Sequence, residues 1–364
     1  MTTPIDTTEF RAFHENGFVQ LRHVFTQLEL DIIDQEIDTV IRKNGKGLVW
    51  ERNTQTIRGI QGPHLESRLL ANLARDRRLL QTAEILLEGN VYIHQYKINF
   101  KAPFVGGVWP WHQDYPYWHY LDGIPDPKLI SVVVALDDVT EFNGPLMFIP
   151  GSHRNGILES SAEDPVPQTG DWRNSFSSDL PYQLSTNRVQ SLIGESQIIS
   201  PKGTAGSILA FDACIAHASL PNLSPFQRRL LLITYNRVDN CPSETRNRRE
   251  EFICGRDTEA LAPVRTFIEK SSWDSPVLKE GFVRRALSCL AVGNTSPGKD
   301  GLSADLESDL FLSGFSDSPA MAEFRAFLER YFGVGTVALS SAVERCRSLS
   351  SLFDYVARRC FEEH

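Results

Sequence analysis

The feature that most constrains the fold is the texture of the chain between about residue 91 and residue 236. Short runs rich in Val, Ile and Phe, such as VYIHQYKINF, LISVVVAL and RRLLLITYN, are separated there by Gly, Pro, Asn and Asp. Runs of this length between turn residues predict antiparallel strands. Because no helical pattern alternates with them, the region favours an all-β barrel or sandwich with helices outside it.

The flanking segments predict helices. Apolar residues recur at helical spacing in LELDIIDQEIDTVIRK near the start, and again in GFVRRALSCLAV, SPAMAEFRAFLERYFGV and SLSSLFDYVARRC near the end. Residues 155–200 are rich in Ser, Pro and Asp and predict a long loop over one mouth of the barrel. We therefore expect a larger domain over residues 1–268, a linker over 269–278 and a small helical domain over 279–364.

Composition excludes several classes of protein. The net charge of −9 disfavours a nucleic-acid partner. The N-terminus lacks the pattern of a secretory signal, and no apolar run reaches the roughly 18 residues of a membrane span, so we expect a cytoplasmic protein with no membrane partner. The six cysteines form no CxxC pair, which predicts buried free thiols and neither a zinc site nor a disulfide framework.

The stretch VWPWHQDYPYW contains the residues best suited to bind a metal ion. His112 and Asp114 are two apart on an extended segment, so their side chains project to the same face. His217, after the strand GSILAF, would supply a third ligand. Two imidazoles and one carboxylate form the facial triad of non-haem Fe(II) oxygenases, which leaves positions for cosubstrate and dioxygen. On spacing alone, a surface hydrogen-bonded pair and a core histidine remain the simpler interpretation.

Further motifs accompany these three residues in order along the chain. They are Asn143-Gly-Pro-Leu-Met, Pro150-Gly-Ser-His153 and, 11 residues after His217, Arg228. Together they resemble the phytanoyl-CoA dioxygenase family of 2-oxoglutarate oxygenases, and Asp114-Tyr-Pro-Tyr-Trp118 resembles its ectoine hydroxylase branch. The opening FRAFHENGFVQLRHVF matches as well, so the resemblance spans roughly residues 8–240.

The resemblance implies a double-stranded β-helix, a mainly β jelly-roll or cupin-like barrel with flanking helices. It implies that His112, Asp114 and His217 hold Fe(II), and that Arg228 pairs with the distal carboxylate of 2-oxoglutarate, which is consumed with O2. A bidentate guanidinium fixes a planar carboxylate in direction as well as charge. Arg229 is the neighbouring candidate, but the two point to opposite faces of a strand and the family's spacing favours Arg228.

Polar residues alternate along the strand that precedes the metal motif. Gln95, Lys97 and Asn99 share one face. A solvated outer face is one interpretation. The resemblance to the ectoine hydroxylase branch supports the other, in which Gln95 and Asn99 contact the cosubstrate or substrate, and Lys97 contacts the substrate. Trp118 would then form a wall of the substrate pocket, with ordinary aromatic packing as the alternative.

The predicted ligand set also bears on the reaction type. His119 and His153 are not expected to be ligands, because the first lies on a different turn and the second belongs to the Pro-Gly-Ser-His corner. In related halogenases a Gly or Ala replaces the carboxylate and vacates a position for chloride. Because Asp114 is present, hydroxylation is favoured over halogenation, while desaturation, epoxidation and ring formation remain open.

Residues 302–356 carry a second set of motifs: Gly314-Phe-Ser-Asp317-Ser318, then Phe-Leu-Glu-Arg-Tyr-Phe-Gly333-Val, then Ser348-Leu-Ser-Ser-Leu. They resemble an acyl or peptidyl carrier protein, which is a small all-α four-helix domain. The resemblance implies attachment of 4′-phosphopantetheine to Ser318. A serine that merely caps the helix is the alternative. Pro319 departs from the usual Leu, which puts recognition by the modifying transferase in doubt.

An oxygenase fused to a carrier predicts a hydroxylase of an acyl or aminoacyl group tethered to Ser318, in secondary-metabolite biosynthesis. Its partners would be a phosphopantetheinyl transferase and a loading enzyme. One alternative keeps the oxygenase but gives it a free, ectoine-like amino acid as substrate. Another is a non-catalytic carrier and docking module, against which the complete His-Asp-His-Arg set argues.

Overall fold

The structure, a computed structural model, contains two compact units. The first comprises Met1–Phe25 and Glu36–Phe267, and the second comprises Thr26–Gln35 and Ile268–His364. The N-terminal part of one early helix is therefore grouped with the C-terminal helices. The described residues are 5–43, 45–52, 54–158, 180–194, 197–242, 249–268, 272, 275–292, 319–333, 346 and 348–363.

Helices cover the outside of the first unit. Asp6 begins α1 with a capping box, in which its side chain accepts from the Glu9 backbone and the Glu9 side chain accepts from the Asp6 backbone. Gly17, with φ of 84°, ends the same helix in a left-handed conformation that favours glycine. The helices are α1 Thr7–Asn16, α2 Gln27–Arg42, α3 Pro63–Glu66, α4 Arg68–Leu73, α5 Arg77–Leu87, α6 Tyr115–Asp122 and α7 Thr186–Gly194.

Two antiparallel sheets form the centre of this unit. Within the described residues, the larger has seven strands in the order β1-β8-β6-β10-β4-β3-β2, and the smaller has three in the order β5-β9-β7. The strands are β1 Phe18–Leu21, β2 Leu48–Trp50, β3 Ile57–Gln61, β4 Val91–Lys101, β5 Trp109–His112, β6 Leu129–Ala135, β7 Leu146–Phe148, β8 Ile208–Asp212, β9 His217–Ser219 and β10 Arg228–Arg237.

The two sheets face each other across an apolar core. Leu146 and Phe148 from the small sheet pack in one cluster with Val133, Phe211 and Leu232 from the large sheet. Alternation along each strand sends these residues inward. This sandwich with outer helices fits the predicted jelly-roll.

The inner face of the large sheet changes polarity from one side to the other. In register across it, Ala135 of β6 pairs with Leu230 of β10, which pairs with Asn99 of β4. The face is therefore apolar at β6 and polar at β4, with β10 as the boundary. Because cross-strand neighbours share a face, this register decides which side chains surround any site between the sheets.

The sequence prediction for residues 155–200 needs correction. A helix, Thr186–Gly194, forms in the second half of the segment predicted as loop, with Val189 and Leu192 buried. Only two buried residues anchor this helix, and two residues are too few to reveal helical periodicity in a Ser-rich segment. Residues 159–179 lie outside the described part. The strands β1, β2 and β3, which widen the large sheet, were also not predicted.

The described residues of the second unit form helices, and the four-helix carrier domain stays a prediction. The helices of this unit are α8 Pro276–Val292, α9 Pro319–Phe332 and α10 Leu349–Glu363, and α8 begins inside the segment predicted as linker. Asp31 of α2 accepts hydrogen bonds from Arg285 and Tyr331, at 2.5 and 2.9 Å, which explains why this part of α2 belongs to the unit. Ser318 lies outside the described residues, so its modification stays a prediction.

The predicted free thiols can be checked at four positions. Cys214, Cys254 and Cys346 are buried, as predicted, whereas Cys241 is exposed, contrary to the prediction, and none of these four forms a disulfide. No helix in the described ranges is both long enough and apolar enough to cross a bilayer.

Phe282 is the central side chain of the helical unit. It is fully buried and its ring contacts those of Phe327, Tyr331, Phe332 and Phe353, with centroids 5.1 to 5.8 Å away. We expect Phe282→Ala to lower the free energy of unfolding of this unit by about 3–5 kcal/mol, because it leaves a cavity between aromatic rings. Hydrogen exchange of peptides from α8 and α10 measures this. Unchanged protection would contradict it, and Phe282→Leu, which refills most of the space, is the milder control.

Candidate metal centre

Strand pairing brings the predicted triad together. His112 at the end of β5 is directly opposite His217 at the start of β9, and their ring centroids are 4.2 Å apart. Asp114 follows β5 and precedes α6, yet its side chain makes no capping hydrogen bond to that helix. The Nε2 atoms of His112 and His217 each lie 3.9 Å from an Asp114 carboxylate oxygen.

The backbone orients both imidazoles. The Nδ1 atom of His112 lies 2.6 Å from the Pro110 carbonyl oxygen, and that of His217 lies 3.0 Å from the Ile215 carbonyl oxygen. Each Nδ1 therefore carries the proton, and each Nε2 presents a lone pair toward Asp114. Burial, and next the neighbouring His217, lowers the pKa of His112 to about 3, so this ring is neutral.

Asp114 supplies the negative charge of the group. Burial acts to raise its pKa, but the positive charge of Lys97, followed by the two imidazoles, outweighs burial and holds the pKa below its ordinary value. Its Oδ2 atom is buried without a hydrogen-bond partner among the described residues. An ionised carboxylate without a donor, facing two imidazole lone pairs, fits a divalent metal such as Fe(II).

A second cluster of possible ligands lies elsewhere in the sheet region. His94, Asp122 and Cys254 are close enough to share an ion. However, Arg249 donates to both oxygens of Asp122, at 2.6 and 2.5 Å, and His94 lies 3.1 Å from the same carboxylate. The carboxylate is thus already paired with a cation, and the group is an ion-pair network.

The two histidines that were expected not to be ligands have other contacts. The Nδ1 atom of His119 lies 2.8 Å from the Ile124 carbonyl oxygen, and the Nε2 atom of His153 lies 3.2 Å from the His14 carbonyl oxygen. Neither belongs to the group around Asp114.

The triad lines a cavity of about 710 Å³, which includes space open to solvent. Every other site residue predicted in the barrel lines it too: Gln95, Lys97, Asn99, Trp118 and Arg228. The polar face of β4 is consequently interior, since Gln95 is 4% and Lys97 9% exposed, and the solvated interpretation of this face is wrong. Trp118 lines the cavity and packs edge-on against His94, so its aromatic packing is present and its role as a wall of the substrate pocket stays a prediction.

Arg228 and Arg229 are separated by the alternation of β10. Arg228 is 2% exposed and donates to the Gly144 carbonyl oxygen at 2.7 Å, while its Nε has no partner among the described residues. Burial lowers its pKa to about 9, so the guanidinium is still charged at neutral pH. Arg229 is instead paired with Asp137, at 2.8 Å, and does not line the cavity. The structure therefore directs Arg228 inward.

Sequence reasoning missed one charged residue of the cavity, Arg249. It lines the cavity with the triad and is held by Asp122 at the end of α6. Its surroundings in the sequence, ETRNRREEF, contain two further arginines and three glutamates, so nothing marks this arginine among its neighbours. Tyr117 was also missed; its hydroxyl accepts from the Tyr182 backbone at 3.2 Å at another wall.

Known proteins resemble this chain over most of its first unit. Residues 13–230 match the family described as phytanoyl-CoA dioxygenase (PhyH). L-proline trans-4-hydroxylase of Streptomyces griseoviridis is 36% identical over 252 residues, which cover 69% of this chain and 93% of that protein. Ectoine dioxygenase of Halomonas elongata is 32% identical over 269 residues, which cover 71% of this chain and 79% of that protein.

Solved structures also resemble this chain in fold. The crystal structure of EctD from S. alaskensis with 2-oxoglutarate and 5-hydroxyectoine matches with a TM-score of 0.63 and 28% identity, over 73% of this chain and 90% of that chain. The same protein with bound Fe matches with a TM-score of 0.62. This chain belongs to the phytanoyl-CoA dioxygenase family and is a non-haem Fe(II)- and 2-oxoglutarate-dependent dioxygenase.

Proposed function

We propose that this protein hydroxylates a free, small, amino-acid-like substrate, with Fe(II) bound by His112, Asp114 and His217. The observation that carries the proposal is that two arginines, the buried Arg228 and the partly buried Arg249, line one cavity with this triad. Arg228 binds the distal carboxylate of 2-oxoglutarate. Arg249 is then available for the carboxylate of a second, separate molecule.

The contacts of Arg249 support this role. Its hydrogen bonds to Asp122 use Nε and Nη2, so within the described residues Nη1 is left for a ligand. The ion pair fixes the plane of the guanidinium before a substrate arrives, which reduces the entropy lost on binding. Trp118 and Tyr117 provide apolar walls beside it. A small ring with one carboxylate fits such a site.

The positions of the other cavity residues indicate the role of each in the reaction. When bound, Fe(II) supplies the activation of dioxygen that couples oxidation of 2-oxoglutarate to oxidation of the substrate. The carbonyls of Pro110 and Ile215 keep both imidazoles in the tautomer that binds a metal. Lys97 keeps Asp114 ionised, and Gln95 and Asn99 offer amides to the cosubstrate. The presence of Asp114 favours hydroxylation over halogenation.

The substrate class takes further support from the relatives named above. One is named for hydroxylation of L-proline and the other for oxidation of ectoine, both small ring compounds. The carrier-tethered substrate depends on Ser318, which is outside both the described residues and the family match at 13–230. It remains the alternative, and modification of Ser318 is its requirement.

Removal of either histidine ligand should abolish iron binding. We expect His112→Ala and His217→Ala to purify folded but without stoichiometric Fe(II), and to release no succinate from 2-oxoglutarate. His119→Gln is the matched control and should keep both properties. Iron content after anaerobic reconstitution and succinate release are the measurements. A fully active His112→Ala or His217→Ala enzyme would remove this ligand assignment.

The two neighbouring arginines should differ in their effect on the cosubstrate. Arg228→Ala should raise the KM for 2-oxoglutarate, since losing a charge-assisted partner costs on the order of 2–4 kcal/mol. Arg229→Ala removes only the pair with Asp137 and should leave this KM near its original value. The KM is read from succinate release at saturating O2. If Arg229→Ala raised this KM and Arg228→Ala did not, the assignment of Arg228 to the carboxylate of 2-oxoglutarate would be wrong.

Free substrate and tethered substrate make opposite predictions for Ser318. We expect free L-proline or ectoine to gain one oxygen atom, at the same rate with wild-type protein and Ser318→Ala. Arg249→Gln should raise the KM for that amino acid while the KM for 2-oxoglutarate stays unchanged. Product mass and succinate release are the measurements. If neither free compound reacts, while a thioester loaded on phosphopantetheinylated Ser318 does, the tethered alternative replaces our proposal.

A further inference from the structure

A second cavity lies between the two sheets of the first unit. It has a volume of about 370 Å³, including space open to solvent, and its lining includes Pro201 and Gly203. Its floor is the apolar part of the large sheet, where Val133 and Ala135 of β6 are buried and Leu209 of β8 is partly buried on the same face. None of its lining residues, all from the described part of the chain, is charged.

This cavity adjoins the one that holds the triad. Leu146 and Leu230 line both cavities, so their side chains form the partition between them. Leu230 is two residues after Arg228 on the same face of β10. Leu146 of β7 pairs with Ser219 of β9, two residues beyond His217. The partition therefore lies beside His217 of the metal triad and beside Arg228, the arginine that faces 2-oxoglutarate.

The change of polarity across the large sheet decides what each cavity can take up. On one row the residues run from Leu209 through Val133 and Leu232 to Lys97, so apolar side chains precede the polar ones. The cavity over the polar end suits charged molecules. The cavity over the apolar end offers no charged partner to a dicarboxylate or an amino acid, and desolvating either molecule there would cost several kcal/mol.

We infer that the apolar cavity admits dioxygen to the active site. Dioxygen is the reactant of this enzyme that is small and uncharged and needs no hydrogen bond. Apolar cavities of this kind are poorly hydrated and take up small apolar molecules, including xenon. The amide of Gln20 is held by the Lys202 carbonyl at 3.2 Å, and together with Ser207 it provides the polar side chains of the lining.

The route also meets a steric requirement. Once 2-oxoglutarate and substrate lie in the larger cavity, dioxygen that came through its mouth would have to pass both molecules. Passage between Leu146 and Leu230 avoids them. Leucine side chains change rotamer on a picosecond to nanosecond scale where packing allows, and Leu146 is only partly buried, so the partition can open without movement of the strands. The inference depends on the dioxygenase activity and not on the identity of the substrate.

Xenon is the probe for the cavity itself, because it is apolar and visible in crystals. Wild-type crystals pressurised with xenon should show the gas between Ala135, Leu209 and Leu230. Ala135→Leu should remove that site, since the added carbons fill the space. Ala210→Leu is the matched control: Ala210 is fully buried on β8 and faces the other side of the sheet, opposite Val132. It adds the same volume without entering the cavity.

The kinetic test uses the same variants. Ala135→Leu should raise the KM for O2 severalfold and leave the KM for 2-oxoglutarate unchanged, whereas Ala210→Leu should change neither. Oxygen consumption with Fe(II) and 2-oxoglutarate measures both constants. If Ala135→Leu does not fold, Ala135→Val takes its place. Absence of xenon from the wild-type cavity, or an unchanged KM for O2 in a folded variant that has lost the xenon site, would overturn the inference.

Discussion

The pairing of β5 with β9 is the constraint on which the site depends. It sets His112 opposite His217, while the two carbonyls at Pro110 and Ile215 rotate the rings so that both Nε2 atoms face Asp114. A register shift of one residue in either strand would turn one imidazole to the opposite face. The geometry is therefore held by backbone hydrogen bonds, which do not depend on any other side chain of the cavity.

Some residues of the site could be predicted from the sequence and others could not. His112, Asp114 and Arg228 lie in or beside regular strands, so alternation and motif order were enough to select them. Alternation showed that only one of Arg228 and Arg229 could face inward, and the family's spacing favoured Arg228. The polar face of β4 was ambiguous, because the same alternation describes a solvated face. Only the position of β4 inside the sandwich decides that Gln95 faces a cavity.

Arg249 marks the limit of sequence reasoning. It reaches the cavity because Asp122, more than 100 residues earlier in the chain, accepts hydrogen bonds from Nε and Nη2 on one edge of its guanidinium. A contact between residues so far apart in the chain produces no hydrophobic periodicity in the sequence of either segment, so the sequence does not predict it. The same holds for helix Thr186–Gly194, which two buried residues anchor, and for residues Thr26–Gln35 of α2, which join the second unit through Asp31.

The charges around the cavity explain why it suits anionic molecules. Asp114 is the carboxylate of its lining, while Lys97, Arg228 and Arg249 are basic. Beyond Arg228, burial and then the charges of Arg228 and Arg58 lower the pKa of Lys101 to about 5, so this buried amine is neutral and donates to the carbonyls of Gly107 and Leu220. Because Lys101 is neutral, it adds no further positive charge to those of Arg228 and Arg58 at this end of the sheet. A dicarboxylate that binds there neutralises Arg228. The free-energy cost of removing this guanidinium from water has already been met on folding, so binding is favourable although charge is buried.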